Sequence, residues 1–170
     1  MPYNYTSTLW PTKHDHYFRD KNLQPLKQSG PHCVSTVLAI LTGVSPDQFQ
    51  GSVNTQDPVS WSDAIRPFGM KLAYCPTDIR KVKFYVPELR QLNDLFAVCY
   101  YKHKDNDPTQ ILADPADNGW VCGSHIVLFH CDAVLDPAAG TRLPIETFPD
   151  GEYHTKRMFR VVPSDHARGL

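Results

Sequence analysis

The sequence has no closely spaced pair of cysteines, no long apolar run and no excess of charge of either sign. Its five cysteines are an odd number and none belongs to a CxxC pair, so neither a disulfide framework nor a zinc ribbon is indicated, and we expect reduced thiols. The 17 basic residues nearly balance the 18 acidic ones, which gives no indication of nucleic acid or an acidic membrane surface as a partner.

Segments that would direct the chain to or across a membrane are also missing. No apolar stretch approaches the roughly 20 residues needed to span a bilayer, and residues 1–5 lack the basic segment and apolar run of a secretory signal. We therefore expect a cytoplasmic protein without a membrane span, with secretion by a non-classical route as the alternative. A length of 170 residues predicts one domain, 1–170, with an irregular arm over 1–27 and a polar tail over 163–170.

The most informative stretch surrounds Cys33. Apolar residues recur after it at helical spacing, which predicts a short helix that begins at Cys33 and is stopped by Gly43. The preceding Gly30-Pro31 turn would deliver the thiol to the helix N-terminus, where free N–H groups and the helix dipole favour the thiolate. Cys33 is thus a candidate nucleophile, although a buried helix end also accepts cysteine as a small apolar residue.

Signals for three further short helices follow, each with a cap or a proline near its first position. The first predicted helix follows Ser45, with Pro46 at its first position and Gln48 completing a capping box. The second follows Ser60 and ends at Gly69, and the third runs from Pro87 to Asn93.

The second half of the chain changes to strand patterns. Apolar runs predict strands over 71–75, 95–101, 125–131, 133–135 and 157–162, with a polar loop over 102–123. Helices come first and strands second, and the later strands are too closely connected for crossover helices. The sequence therefore predicts an α+β fold in which a helical part packs on an antiparallel sheet.

A cysteine nucleophile needs a base and a group that orients the base. His125 opens an apolar strand, and Asp136 ends the returning strand eleven residues later, so a short hairpin would make the two side chains neighbours. Taken singly, His125 also fits a satisfied strand-end histidine, and Asp136 a turn initiator. His130 is expected on the opposite face of the strand, and His32 would have to fold back to reach the sulfur of Cys33.

In their order, these segments resemble the papain-like cysteine peptidases of the bacteriocin-processing C39 type. The resemblance runs from about residue 28 to residue 140. Its segments are Gln28 and Cys33 with the helix ending Leu41-Thr42-Gly43, the Ser-Pro-Asp-Gln-Phe segment, the stretch from Trp61 to Gly69, His125 with its strand, and Asp136-Pro137-Ala138 before Gly140.

The resemblance implies a papain-like fold with Cys33 as nucleophile, His125 as general base and then general acid, and Asp136 as orienting carboxylate. Gln28 would stabilise the oxyanion together with the Cys33 backbone N–H. Two positions depart from the family's usual pattern: Gln28 precedes the cysteine by five residues rather than six, and Val34 follows it in place of glycine.

The function implied is that of a cysteine peptidase, which cleaves a peptide or isopeptide bond of a peptide or protein substrate through a thioester, without a cofactor or metal. The alternatives are an acyltransferase of the same fold and an inactive papain-like module that binds a peptide or partner protein. A metal site at His14 and His16 ranks lower, because no further spaced ligands lie nearby and a solvated surface pair suffices.

Overall fold

The structure is a computed structural model that describes residues 8–30, 32–101 and 124–170. Pro31 of the predicted turn, residues 1–7 of the arm and the predicted loop 102–123 lie outside the described residues. The described helices are α1 (Cys33–Thr42), α2 (Pro58–Ile65) and α3 (Val86–Leu92). The described strands are β1 (Met70–Tyr74), β2 (Leu95–Tyr101), β3 (Ser124–His130), β4 (Ala133–Asp136), β5 (Thr141–Pro144) and β6 (His154–Pro163).

The six strands form one antiparallel sheet in the order β1-β6-β2-β3-β4-β5. Strands β2 to β5 follow one another across the sheet, and β6 returns to lie between β1 and β2. Because helices pack on an antiparallel sheet, the predicted α+β class is confirmed. The predictions missed β5, which is a short, largely exposed edge strand without an apolar pattern.

Helix α1 forms where the apolar spacing predicts it. Its residues from Val34 to Leu41 are buried, and Gly43 ends the helix in the left-handed region at φ 78°, with its N–H donating to the carbonyl of Ala39. Glycine reaches this conformation without the steric cost of a Cβ atom. Helix α1 therefore lies in the core, with its first residue at the core's edge.

The sheet separates two hydrophobic clusters. On one side, α1 and α2 pack against alternate residues of the strands, including Ile126 and Leu128. On the other side, Val127 and Phe129 pack with α3 and the N-terminal arm. Residues 8–27 of that arm form neither helix nor strand. None of the described helices is long and apolar enough to cross a membrane.

Two predicted helix starts require correction. Helix α2 begins at Pro58, not after Ser60, because Asp57 is the N-cap and its Oδ1 accepts the N–H of Val59 at 3.0 Å. The Ser60 hydroxyl instead donates to backbone carbonyls before it. The segment after Ser45 forms only a 3₁₀ turn, Pro46–Gln48, although Ser45 does accept the N–H of Asp47 as its cap.

Candidate active site

Cys33 is the first residue of α1 and is partly exposed. The N-cap residue, His32, makes no side-chain capping bond; instead, its carbonyl accepts the hydroxyl protons of Ser35 and Thr36. The first N–H groups of a helix have no intrahelical partner, and the helix dipole is positive at this end. The Cys33 sulfur and its backbone N–H therefore lie at the positive end of the α1 dipole.

His125 and Asp136 are in direct contact. Nε2 of His125 lies 2.7 Å from Oδ1 of Asp136, and the two side chains are only 7% and 6% exposed. Strand pairing of Leu128 with Leu135 aligns β3 and β4 so that the two residues are diagonal neighbours. The same Oδ1 accepts the N–H of Ala138, which fixes the carboxylate at the turn after β4.

This contact determines the tautomer of His125. Because a carboxylate oxygen accepts from Nε2, the proton of the neutral ring is placed on Nε2, and Nδ1 is left for the cysteine. Burial disfavours the charged ring, but the hydrogen bonds with Asp136 and Cys33 outweigh it and raise the pKa of His125 to about 9.

Tyr100 supports the histidine from the neighbouring strand. It pairs with His125 across β2 and β3, and its ring meets the imidazole edge-on with centroids 5.6 Å apart. Its hydroxyl donates to Asp150 at 2.6 Å, and burial raises the pKa of this phenol. Tyr100 thus shields His125 from water. The sequence analysis assigned Tyr100 only to an apolar strand, since its place opposite His125 depends on strand register.

Cys33 and His125 line one cleft of about 340 Å³, which includes its open mouth. The remaining lining comes from α1, from the loop before α2, from α2 and from three strands: Val34, Thr55, Gln56, Trp61, Cys99, Ser124, Ile126, Lys156 and Arg157. Burial raises the pKa of the Cys99 thiol to about 12, which makes Cys99 a poor nucleophile, whereas Cys33 is partly exposed. The sequence analysis did not single out Lys156 or Arg157.

Gln28 lies close to the turn that follows Asp136. Its backbone N–H donates to the carbonyl of Pro137 at 2.7 Å, while its side-chain Nε2 donates to the carbonyl of Gly30 at 2.9 Å. An amide group has two N–H donors, so one remains after the bond to Gly30. The structure thus brings Cys33, His125 and Asp136 together, and the oxyanion role of Gln28 stays a prediction.

The other histidines singled out by the sequence occupy different surroundings. His130 contacts the carbonyl of Phe18 through Nε2 and Arg142 through Nδ1, so both of its nitrogens are occupied. His14 and His16 are exposed on the arm. Within residues 8–30, 32–101 and 124–170, no three potential metal ligands lie together.

No protein-family model and no curated protein matches the sequence. Among solved structures, the peptidase domain of Streptococcus ComA, a bifunctional ABC transporter involved in quorum sensing, is similar with a TM-score of 0.51 at 15% identity, covering 84% of this chain and 99% of that one. A double-glycine-motif protease from an AMS/PCAT transporter, in complex with the leader peptide, gives a TM-score of 0.46 at 13% identity, covering 83% and 90%.

The similarity to the ComA domain concerns the fold, because the identity is low. The chain has the α+β, papain-like fold of such peptidase domains, with helices packed on an antiparallel sheet. The resemblance to C39-type peptidases that the sequence indicates is thereby confirmed at the level of the fold.

Proposed function

We propose that this protein is a cysteine peptidase of the C39-like type, which hydrolyses a peptide or isopeptide bond with Cys33, His125 and Asp136. The observation that carries the proposal is the buried 2.7 Å contact between Nε2 of His125 and Oδ1 of Asp136. The same histidine shares a cleft with Cys33, which lies at a helix N-terminus. A papain-like fold supports the proposal. A nucleophile, a base and a carboxylate that orients the base together form an arrangement suited to acyl transfer.

In the first half-reaction, the Cys33 thiolate attacks the carbonyl carbon of the scissile bond. The negative charge that develops on the carbonyl oxygen is stabilised by the Cys33 N–H at the start of α1, with Gln28 as the predicted second donor. His125 gives its Nδ1 proton to the leaving amine, the C–N bond breaks, and a thioester to Cys33 remains.

In the second half-reaction, water attacks the thioester. His125 takes a proton from the water through Nδ1, and the C–S bond breaks to release the carboxylic acid product and the Cys33 thiolate. Asp136 holds the ring through Nε2 in both steps, so that Nδ1 keeps facing the reacting atoms. No cofactor takes part in these two half-reactions.

We expect the purified chain to cleave members of a diverse peptide collection and to be labelled on Cys33 by a peptidyl vinyl sulfone. Mass spectrometry identifies the cleaved bonds, and tryptic mapping locates the adduct. Cys33→Ala should give neither product. Folded wild-type protein that binds peptides yet shows neither cleavage nor adduct would overturn the peptidase proposal and leave a peptide-binding module.

A further inference from the structure

A β-bulge interrupts the pairing of β6 with β2 at the cleft. Cys99 of β2 pairs with Arg157, whereas the next residue, Tyr100, pairs with Thr155, so Lys156 is an extra residue without a partner in the ladder. In a regular strand, neighbouring side chains point to opposite faces. A bulge reorients side chains locally, and here both Lys156 and Arg157 line the cleft that contains Cys33.

These two cations have no counter-ion in the described structure. Among the described side chains that line the cleft there is no carboxylate, and neither Lys156 nor Arg157 forms an ion pair within the described ranges. The Lys156 ammonium lies 5.8 Å from the centre of the Tyr101 ring. Both side chains are only partly exposed.

The positive charges also repel each other. Burial, followed by the neighbouring Arg157, lowers the pKa of Lys156. Two partly buried cations beside each other are unfavourable unless an anion joins them, and a guanidinium fork matches the two oxygens of a carboxylate. The cleft is therefore complementary to an anionic group and unfavourable to a cationic one.

We propose that Lys156 and Arg157 form a specificity subsite that binds a carboxylate of the peptide substrate beside the scissile bond. The proposal rests on the proposed peptidase function, because in a peptide the available anions are Asp and Glu side chains and the C-terminal carboxylate. The subsite shares a cleft with Cys33. The carboxylate therefore belongs to a residue close in sequence to the bond that is cleaved.

The test is affinity selection from pooled peptides on the Cys33→Ala protein, which needs no catalysis. Three matched peptide pools are compared. The first has Glu at one scanned position and a C-terminal amide. The second has Gln at that position and a C-terminal amide, and the third has Gln there and a free C-terminal carboxylate. We expect at least about tenfold enrichment of one carboxylate pool over the Gln amide pool. The pool that is enriched identifies the carboxylate as a side chain or a C-terminus.

Variants connect this preference to the two residues. Lys156→Gln and Arg157→Gln, each in the Cys33→Ala protein, should bring the enrichment close to one, while Arg157→Lys should keep part of it. Lys13→Gln, which removes the same charge from the exposed arm, is the matched control and should change nothing. Thermal unfolding verifies that each variant is folded.

The outcomes separate this proposal from the peptidase proposal. Equal recovery of the three pools, no peptide recovery at all, or a preference that persists in both Gln variants overturns the subsite, even if wild-type protein cleaves peptides. If the Cys33→Ala protein shows a carboxylate preference that depends on Lys156 and Arg157, while the wild-type protein never cleaves a peptide, the subsite is supported and catalysis is rejected.

Discussion

Cys33→Ala is expected to abolish peptide hydrolysis, and His125→Ala to lower kcat by about 10³-fold or more. The first variant has no nucleophile, and the second has neither the base that forms the thiolate nor the acid that protonates the leaving amine. Because the two residues act as one unit, the double variant should be no slower than the slower single variant. Steady-state kinetics on a cleaved fluorogenic peptide measure each effect.

Asp136→Asn tests the orienting carboxylate in the same assay. The amide removes the charge that stabilises the imidazolium and weakens the preference for a proton on Nε2, so we expect a loss in kcat smaller than that of His125→Ala. Cys75→Ala is the matched cysteine control: burial raises the pKa of this thiol to about 12, and its loss should leave kcat unchanged. Full activity of His125→Ala would contradict the assignment.

The largest expected effect on stability comes from Arg160. Its guanidinium and the Asp94 carboxylate are 2.5 Å apart and both side chains are fully buried. Arg160→Leu leaves the buried carboxylate without its cationic partner, so we expect the free energy of unfolding to fall by about 3–5 kcal/mol. Urea denaturation at neutral pH, followed by fluorescence, measures this change.

The buried pair also fixes the N-terminal arm. Asp94 accepts the backbone N–H groups of Tyr17 and Phe18, and Arg160 donates to the carbonyl of Asp15 and lies against the ring of Trp10. In Arg160→Leu, the arm should therefore become the first site of proteolysis.

An exposed ion pair provides the control for Arg160. Arg90 and Glu146 are each about half exposed, so Arg90→Leu should cost at most about 1 kcal/mol. Adding Asp94→Asn to Arg160→Leu removes the unpaired charge and should recover part of the loss. If Arg160→Leu were as stable as Arg90→Leu, the claim that the buried Arg160–Asp94 pair stabilises the fold would be wrong.

The parts of the fold that depend on local sequence could be predicted. Helix α1 follows from apolar spacing and the glycine at its end, and β2 was predicted with the bounds that the structure has. The contact between His125 and Asp136 also follows from local order, because a tight hairpin returns the chain to the start of the preceding strand. Asp57 was overlooked as a cap because Ser60 offered a similar signal nearby.

The remaining features depend on pairing between distant segments. Tyr100 lies opposite His125 only because of the register of β2 and β3, and Lys156 enters the cleft only because of the bulge between β2 and β6. A single sequence does not specify either pairing. The edge strand β5 lacks the buried face that would have identified it.

The measurement that tests the central claim most directly is the pH dependence of Cys33 alkylation by iodoacetamide in wild type and His125→Ala, with Cys33→Ala identifying the labelled site. With a pKa of about 9, His125 stays protonated through neutral pH and loses its proton as the pH rises through 9. The imidazolium that would stabilise a Cys33 thiolate is therefore present at neutral pH and is lost in the alkaline range.

We expect wild-type Cys33 to react at pH 6.5 at least about tenfold faster than in His125→Ala, which lacks the imidazolium that stabilises the thiolate. The wild-type profile should also change slope near pH 9, as His125 loses its proton. Coincident profiles for the two proteins would contradict the ion pair, and with it the assignment of this cleft as a peptidase site.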